Sequence, residues 1–592
     1  MSSQLPTPGD TNRGSAAHHV PYPATQKTGA QIIWEVLVRE GVEVVFGYPG
    51  GAIMPTYDAM PAYPIRHVLV RHEQGAAHMA DGYARASGKV GVAIATSGPG
   101  ATNLVTGIAT AMMDSTPMVC ITGQVPSSAL GSDAFQETDI TGITLPITKH
   151  NYLVSRAEDV APTLHEAFYI ARSGRPGPVL VDITKDAQQG LAMLETRPPP
   201  RPQRRRPIPR PTSEAIARAA MLIDAAERPL IFAGHGVVQS GSGALVRELA
   251  EKTGIPVTST LLGLGGFPAS HPLSLGMMGM HGEAWVNASI QEADLLIALG
   301  MRFDDRVTGK LATYAVHARK IHAEIDPSEI NKNVKVDVAL PGDVRHTLAA
   351  LLPVVQKRER TAWVERISAR RSEAKGRDVQ TMPSCGKLLA AHVLHDLWRL
   401  TEGKSLVVTD VGQHQMWEAQ YYKHERPRSL ITSGGLGTMG FALPAAMGAR
   451  FARPQDDIWV VAGDGGFQMT ACEMVTCAQE GLKLNIAIIN NGYLGMVRQW
   501  QEFFYNRRYV ATPLLSPDFV MLAQAHGLTA FRVTRREEIP AAVERARKEP
   551  GSVVIEFRVE QEDSVYPMVP ANTDLRDMIR RPAFAEEGEG AE

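Results

Sequence analysis

Two short stretches carry oxygen ligands at a spacing that suits a metal. In "VVAGDGGFQM", residues 460–469, an apolar run ends on Asp464 between glycines. Taken alone, Asp-Gly is a turn signal. A helical stretch, "FQMTACEMVTCAQEG", and a second apolar run, "LKLNIAIINN", then bring Asn490 and Asn491 to another strand end. If the two strands are parallel neighbours, Asp464 and Asn491 meet at the carboxyl edge of the sheet, where doubly wound folds bind ligands. A carboxylate, an amide oxygen and a nearby backbone carbonyl make a hard, oxygen-only set suited to Mg²⁺ or Ca²⁺. Mg²⁺ in particular takes few protein ligands when phosphate oxygens complete its shell. Upstream, "SGGLGTMGFALPAAMGAR" sets a glycine-rich loop before a helix and so offers backbone N–H groups to phosphate oxygens.

The elements that must position these residues follow from the rest of the chain. Its 592 residues suggest roughly three or four domains. With 44% hydrophobic and 21% charged residues the composition is that of a soluble globular protein. A net charge of −2 gives no electrostatic case for nucleic acid or an anionic membrane. Cys120, Cys385, Cys472 and Cys477 lack metal-like spacing and are expected as reduced thiols. No apolar run approaches the ~18 residues that span a bilayer. The first 26 residues resemble neither a secretory signal nor a transit peptide, and read as a disordered tail of a cytoplasmic protein.

From Gly29 to about Asp186 amphipathic helices alternate with apolar strands, as in "VGVAIATSGPGATNLVTGIATAMMDSTPMVCITG". That is βαβ patterning and predicts a parallel sheet. The basic, proline-dense "RPPPRPQRRRPIPRP" reads as a stiff linker. A second block follows with "PLIFAG", "PVTST", "DLLIALG" and "KIHAEID", and a third with "SLVVTDVG", "DIWVVAGDGG", "LNIAIINN" and "SVVIEFRV". The expected fold is α/β, with three doubly wound parallel-sheet domains. The expected divisions are a tail over 1–26, domains over 27–190, 213–352 and 383–570, a linker over 191–212, a charged helical linker over 353–382 and a C-terminal tail over 571–592.

GDG, a helix and then NN resembles the signature of the thiamine diphosphate enzymes that handle 2-oxoacids. The resemblance implies Asp464, Asn491 and the Tyr493 carbonyl as metal ligands. It implies that Glu73, in "VRHEQGAAHMADGYAR", is the carboxyl group that tautomerises the cofactor's aminopyrimidine, and that Met439 props the cofactor into a bent shape. Gln413, His414, Gly437, Gly465, Gly466 and Met496 match further thiamine diphosphate contacts.

Longer stretches, "FGYPGGAIMPTYDAM", "RHEQGAAHMADGYARASGKVGV", "GQVPSSALGSDAFQE", "SGRPGPVLVDITKD", "LGMMGMHG", "RFDDRVTGK", "DVGQHQMW" and "NNGYLGMVRQWQ", are similar to the catalytic large subunits of the acetohydroxyacid synthase family, also called acetolactate synthases. That family holds FAD in its central domain. The implied contacts here are Arg175, Gly234, His235, Gly236, Met280, His281, Gly282, Arg302, Asp326 and Asp343. Gly51, Phe135, Gln136, Lys185, Arg306 and Trp500 match residues lining the substrate cleft. Arg306 suits the carboxylate of the second oxoacid, and Trp500 forms an apolar wall for its side chain.

The implied reaction joins a two-carbon unit from pyruvate to pyruvate or 2-oxobutyrate, giving 2-acetolactate or 2-aceto-2-hydroxybutyrate for branched-chain amino acids. The resemblance also implies Mg²⁺, a homodimer or homotetramer that shares its active sites, and a separate small subunit if valine is to act as feedback inhibitor. Other readings of the same motifs are a redox or decarboxylating relative, in two forms, and a protein without catalysis. A flavin-using pyruvate oxidase is the first. The second is a decarboxylase, which would carry an adjacent His-His pair; here the pair is His18-His19, in the tail. A non-catalytic metabolite-binding protein is the third.

Overall fold

The computed structural model describes residues 24–195, 208–381 and 386–582. Residues 1–23, 196–207, 382–385 and 583–592, and with them most of the expected N-terminal tail, the middle of the Pro/Arg-rich linker, Cys385 and the end of the expected C-terminal tail, lie outside the described residues.

Three six-stranded sheets, each parallel throughout, follow one another along the chain. The first holds β2 (Val44–Gly47), β3 (Arg66–Leu69), β4 (Gly91–Ala95), β5 (Met118–Gln124), β6 (His150–Val154) and β7 (Pro178–Thr184) in the order β3-β2-β4-β5-β7-β6. The central sheet holds β9 (Pro229–Ala233), β10 (Val257–Ser259), β11 (Ser274–Met277), β12 (Leu295–Leu299), β13 (Arg319–Glu324) and β14 (Val338–Pro341) in the order β11-β10-β9-β12-β13-β14. The third holds β15 (Leu406–Thr409), β16 (Leu430–Thr432), β17 (Ile458–Gly463), β18 (Asn485–Asn490), β19 (Thr529–Val533) and β20 (Val553–Arg558) in the order β16-β15-β17-β18-β20-β19.

Counted within each block, the first and third sheets share one strand order, 2-1-3-4-6-5, and the central one is 3-2-1-4-5-6. The second of these is the order of dinucleotide-binding folds. Central strands such as β4, β5 and β18 are buried at every residue. They are covered by helices on both faces, which is why they read as unbroken apolar runs rather than alternating ones.

Two small strands extend the first block past the boundaries drawn from the sequence, one across 26/27 and one wholly within the expected linker from residue 191. β1 (Ala24–Thr28) pairs antiparallel with β8 (Leu191–Glu195) and ties both ends of the first block together. Along β8 only every second residue is buried, so the apolar signal is weak. The charged helical linker also belongs to a block. Its helix Thr361–Ala374 buries Trp363 and Ile367, and Trp363 Nε1 donates to the Pro229 carbonyl at 3.1 Å. Residues 571–582, placed in a tail by the sequence, lie against the central block, with Leu575 and Met578 buried and Lys310 N–H donating to the Thr573 carbonyl.

The first and third blocks share a single apolar core, in which Val68, Met79 and Ile108 join Phe441, Met447 and Val460. Its seam is the crossing of helices Glu73–Ser87 and Ala442–Ala452. A Cβ on Gly82 would lie 2.0 Å from the Ala445 carbonyl oxygen, and one on Gly448 would lie 1.8 Å from that of Met79. The backbones therefore touch, and only glycine fits at these two positions. Arg453 and Arg428 reach across to the Ala86 and Arg85 carbonyls and satisfy the C-terminal end of the Glu73–Ser87 helix.

Gly448→Ala is expected to destabilise the protein by about 1–3 kcal/mol or to abolish folding, because the clash is with backbone that cannot rotate away. Gly551→Ala, where nothing lies within 4 Å, serves as the control. Equal thermal midpoints for the two variants would show that the crossing is not tight.

Candidate active site

In a parallel sheet every strand delivers its last residues to one edge, and the candidate residues collect there. At the edge of the first sheet Gly51 follows β2, Glu73 follows β3, the Gly98–Gly100 turn follows β4, Phe135 and Gln136 follow β5, and Lys185 follows β7. Glu73 opens its helix, whose N-cap is His72, and is buried. Asn103 Nδ2 donates to its Oε2 at 2.9 Å, and a Cβ on Gly100 would stand 3.2 Å from its Oε1. Gln136 adopts a left-handed φ of +62° and lies against Gly98, which leaves the Phe135 side chain 89% exposed. Lys185 heads a short helix that the Ser127 N–H joins through Asp186. Gly51 has open space on its Cβ side.

The third sheet delivers Gln413, the 433–440 loop, Asp464 and Asn491 to its own edge. Asp464 is buried, and its Oδ2 accepts the Gly492 N–H (3.1 Å) and the Ser516 hydroxyl (3.0 Å). Burial is the largest influence on this carboxyl and pushes it up to about 6, despite the Ser516 hydroxyl and the neighbouring amides. Asn491 Oδ1 accepts the Tyr493 N–H, and its Nδ2 reaches Gln413 Oε1 at 3.3 Å. Gln413 Nε2 is held in turn by Gln499 Oε1 and the Asp563 carbonyl.

Among the described residues no trio of His, Cys, Asp or Glu gathers as a metal site. A cation here would depend on one carboxylate with amide and carbonyl oxygens, which is the donor set of a hard ion shared with phosphate. A buried carboxylate so placed gains from a cation.

Four N–H groups of the 433–440 loop are already engaged. Gly434 and Gly435 donate to Asp114, Thr438 to Ser433 Oγ and Gly440 to Asp410. Gly437, at φ +72°, and Met439 make no such bond among the described residues, and these are the two loop residues that match cofactor contacts. Met439 Cε approaches Gly465, and Gly466 rests on the Asp410 carboxylate. His414 Nε2 accepts the Gly463 N–H at 3.2 Å, and burial lowers this imidazole to about 4, so the ring is neutral. Met496 is half-buried against the third block's core.

In the central block the candidate flavin residues also line the carboxyl edge. Gly234, His235 and Gly236 follow β9, while Gly300 and Arg302 follow β12, on the two sides of the point where strand order reverses. The two turns touch, since a Cβ on Gly234 would stand 2.2 Å from the Gly300 carbonyl oxygen. Met280 N–H donates to the Arg306 carbonyl, and Gly282 folds back on Met278. His235 and His281 are each lowered to about 4 by burial, and their Nδ1 atoms meet the carbonyls of Leu262 and Pro567. Asp326 pairs with Arg175, Asp343 caps helix Val344–Leu351, and Arg302 lies 3.9 Å from Asp304.

Arg306 and Trp500 are linked through a strap. Trp500 lies edge-on to Phe504 on helix Gly495–Phe504, and Phe503 of that helix packs at a tilt against Tyr566. Pro567 meets His281, and Val569 meets Met280, whose Sδ lies 3.5 Å from Arg306 Nη1. Among the described residues no hydrogen bond joins Glu73 to the Asp464 cluster of the same chain.

Three supporting residues escaped the sequence reading. Asp410 ends its strand in "VVTD", the same apolar-run-into-acid pattern as Asp464, and that signal could have found it. It is buried and holds Gly440, and burial pushes it up to about 6. Glu473 accepts the N–H groups of Arg71 and His72 and so fixes the approach to Glu73 from the other block. Ser516 lies in a loop with no local signal.

Comparison with known proteins agrees with this layout. Residues 27–143 match "Thiamine pyrophosphate enzyme, N-terminal TPP binding domain", residues 216–351 the central domain of the same enzymes and residues 410–557 their C-terminal TPP binding domain. The chain is 48% identical over 589 residues to an acetolactate synthase of Mycobacterium bovis, covering 95% of this chain and 94% of that one. It is 47% identical over 612 residues to the acetolactate synthase large subunit of Corynebacterium glutamicum (100% and 96%). It is 46% identical over 558 residues to the acetolactate synthase isozyme 2 large subunit of Escherichia coli (93% and 99%). With three matched domains in order and such identity along nearly its whole length, the chain belongs to the thiamine pyrophosphate enzymes, among the acetolactate synthase large subunits.

Proposed function

We propose that this protein is an acetolactate synthase that binds thiamine diphosphate, Mg²⁺ and FAD, decarboxylates pyruvate and joins the two-carbon unit to pyruvate or 2-oxobutyrate for branched-chain amino-acid synthesis. The observation that carries the reading is the pairing of two equivalent sheet edges. One presents Glu73, and the other presents Asp464, Asn491 and a loop whose Gly437 and Met439 N–H groups make no hydrogen bond among the described residues. Bound thiamine diphosphate supplies the carbon that adds to the oxoacid carbonyl and takes up the electrons left when CO₂ departs.

The chain's own residues do the rest. Asp464, Asn491 and the Tyr493 carbonyl would hold the metal, which would supply positive charge for the diphosphate. Glu73, kept in place by Asn103, exchanges a proton or hydrogen bond with the pyrimidine ring nitrogen. Met439 fills the space beside Gly465 and props the cofactor. Arg306 takes the acceptor's carboxylate, and Trp500 walls its alkyl end.

The central block's strand order and its touching glycine turns support FAD at the switch point, with Arg175, Arg302, Asp326 and Asp343 around it. Joining two oxoacids with loss of CO₂ changes no overall redox state, so the flavin serves structure.

A homodimer that pairs the first-block edge of one copy with the third-block edge of the other accounts for the exposed apolar side chains at both. These include Phe135 on one edge and Val510, Leu515 and Met521 on the other. The naming of the relatives as large subunits supports a separate smaller partner for this chain as well. No helix among the described residues is long and apolar enough to cross a membrane, and the free thiols Cys120, Cys472 and Cys477 suit the cytoplasm.

Incubating the purified chain with pyruvate, thiamine diphosphate, Mg²⁺ and FAD and identifying the products tests the whole reading; acetate or acetyl phosphate with flavin reduction would favour an oxidase. Glu73→Gln is expected to keep cofactor binding and lose roughly two to four orders of magnitude in turnover. Asp464→Ala is expected to lose cofactor retention. Co-refolding the two inactive variants should restore activity that neither has alone, because a mixed dimer rebuilds one intact site. No recovery would place each site within one chain.

Trp500→Leu tests acceptor choice. One methylene in an apolar pocket is worth about 1–3 kcal/mol, roughly 10- to 200-fold in selectivity. The variant should lose most of the preference for 2-oxobutyrate while still forming acetolactate, measured as a product ratio from mixed substrates at equal conversion. An unchanged ratio at lower rate would make Trp500 a support for its helix only.

A further inference from the structure

One buried carboxylate outside the catalytic edges has no part in the scheme above. Asp114 follows helix Val105–Met113 of the first block and is 2% exposed. It accepts the N–H groups of Gly434 (3.0 Å) and Gly435 (2.7 Å), two successive amides of the third block's loop, and it takes the Arg85 guanidinium at 2.8 Å. The same helix reaches the loop a second time, where Thr110 Oγ1 lies 2.7 Å from Thr438 Oγ1. A Cβ on Gly435 would stand 2.8 Å from Asp114 Oδ1, so the loop needs glycine to come this close.

The turn that carries Asp114 is held from outside as well. Arg85 is shared with Asp81 on its own helix. Ser115 sits at a left-handed φ of +59°; its Oγ accepts Arg175 Nε (2.8 Å), and its carbonyl accepts Gln239 Nε2 (2.7 Å). Residues from all three blocks therefore converge on two adjacent positions.

If this were only a structural ion pair, Asp81 alone would compensate Arg85. Both Asp114 oxygens instead face backbone amides of the loop, and a carboxylate that accepts such amides fixes their direction more strongly than a neutral group would. With Gly434 and Gly435 occupied, Thr438 turned to Ser433 and Gly440 turned to Asp410, the loop N–H groups without a hydrogen bond among the described residues include those of Gly437 and Met439, as well as Leu436.

We propose that Asp114 is a positioning residue for the thiamine diphosphate site, setting the 433–440 loop from another block so that the Gly437 and Met439 N–H groups are preorganised for the cofactor. The inference rests on the reading that this loop cradles thiamine diphosphate. It adds a residue from the first block that touches neither cofactor nor substrate.

The test is the dissociation constant of thiamine diphosphate, read by quenching of intrinsic fluorescence in full-length protein with Mg²⁺ present. Asp114→Asn should weaken binding about 10- to 100-fold, the range for charge-assisted hydrogen bonds, with kcat largely recovered at saturating cofactor. Thr110→Val should shift it in the same direction by less. Asp81→Asn keeps both Asp114–amide contacts and disturbs only Arg85, whose Nη1 also donates to the Thr432 carbonyl at the foot of the loop (2.8 Å); it should lower the thermal midpoint and shift the dissociation constant less than Asp114→Asn does.

Wild-type binding in both Asp114→Asn and Thr110→Val would overturn the proposal. So would an Asp81→Asn variant that binds as weakly as Asp114→Asn, because the effect would then pass through the fold alone. If Asp114→Asn does not fold, Thr110→Val combined with Ser433→Ala decides by the same measurement. Asp464→Ala separates the two levels. If that variant loses the cofactor while the Asp114 and Thr110 variants keep it, the positioning role fails alone; if it keeps the cofactor, the reading of the site fails and takes this inference with it.

Discussion

The molecule is organised around a helix crossing that has no room for a methyl group. Gly82 and Gly448 bring the backbones of helices Glu73–Ser87 and Ala442–Ala452 into contact. Each helix follows the second strand of its block, and the two blocks share one strand order, so the contact joins equivalent elements. Glu73 heads one helix, and the glycine-rich loop leads into the other. The crossing therefore sets the separation of the carboxyl group and the phosphate loop within a chain, and a shift of one helix along the other would displace both. Under the proposed dimer these two features serve different sites, and the same crossing would hold both sites in register.

Much of this was legible in the sequence because a parallel sheet buried on both faces writes its central strands as apolar runs. β4, β5, β17 and β18 could be read directly, and with them the strand ends that carry Asp464 and Asn491. Half-exposed strands could not be read: β3, β8 and the ribbon partner at Ala24–Thr28 are four or five residues long and bury only part of their side chains. The supporting shell was invisible for another reason. Glu473 meets Arg71 across 402 positions and Asp114 meets Gly434 across 320, and no local pattern encodes a pairing at that distance. Asp410 is the exception, since it repeats at β15 the strand-ending acid already noticed at β17.

Two buried acids end strands of the third sheet, and each has two donors. Asp410 accepts the Val411 and Gly440 amides, Asp464 accepts the Gly492 amide and the Ser516 hydroxyl, and burial raises both to about 6. Asp464 differs in its place, bonded to the turn that follows Asn491, where amide and carbonyl oxygens gather. A buried carboxylate with few donors is costly unless a cation joins it. The histidines cannot supply that charge. His235, His281 and His414 are all lowered to about 4 by burial and are neutral near pH 7. Positive charge at these sheet edges is left to Lys185 and to arginines such as Arg175 and Arg302, and to a metal under the proposed function.

A dinucleotide fold inside an enzyme of no net redox change needs a physical reason, and the strap at residues 563–570 offers one. On one side Arg498 and Gln499 hold it through the Asp563 and Val565 carbonyls, and Phe503 packs at a tilt against Tyr566. On the other side it rests on the central block, where Pro567 meets His281 and Val569 meets Met280. The helix that carries Trp500 is thus braced, through the strap, against the turn that carries Met280 and His281, and Arg306 projects from the same place. Any ligand that orders the Met280–Gly282 turn would order the acceptor pocket with it. Under the proposed function, a flavin bound at the switch point adds rigidity to acceptor selection through this strap, with its redox chemistry unused.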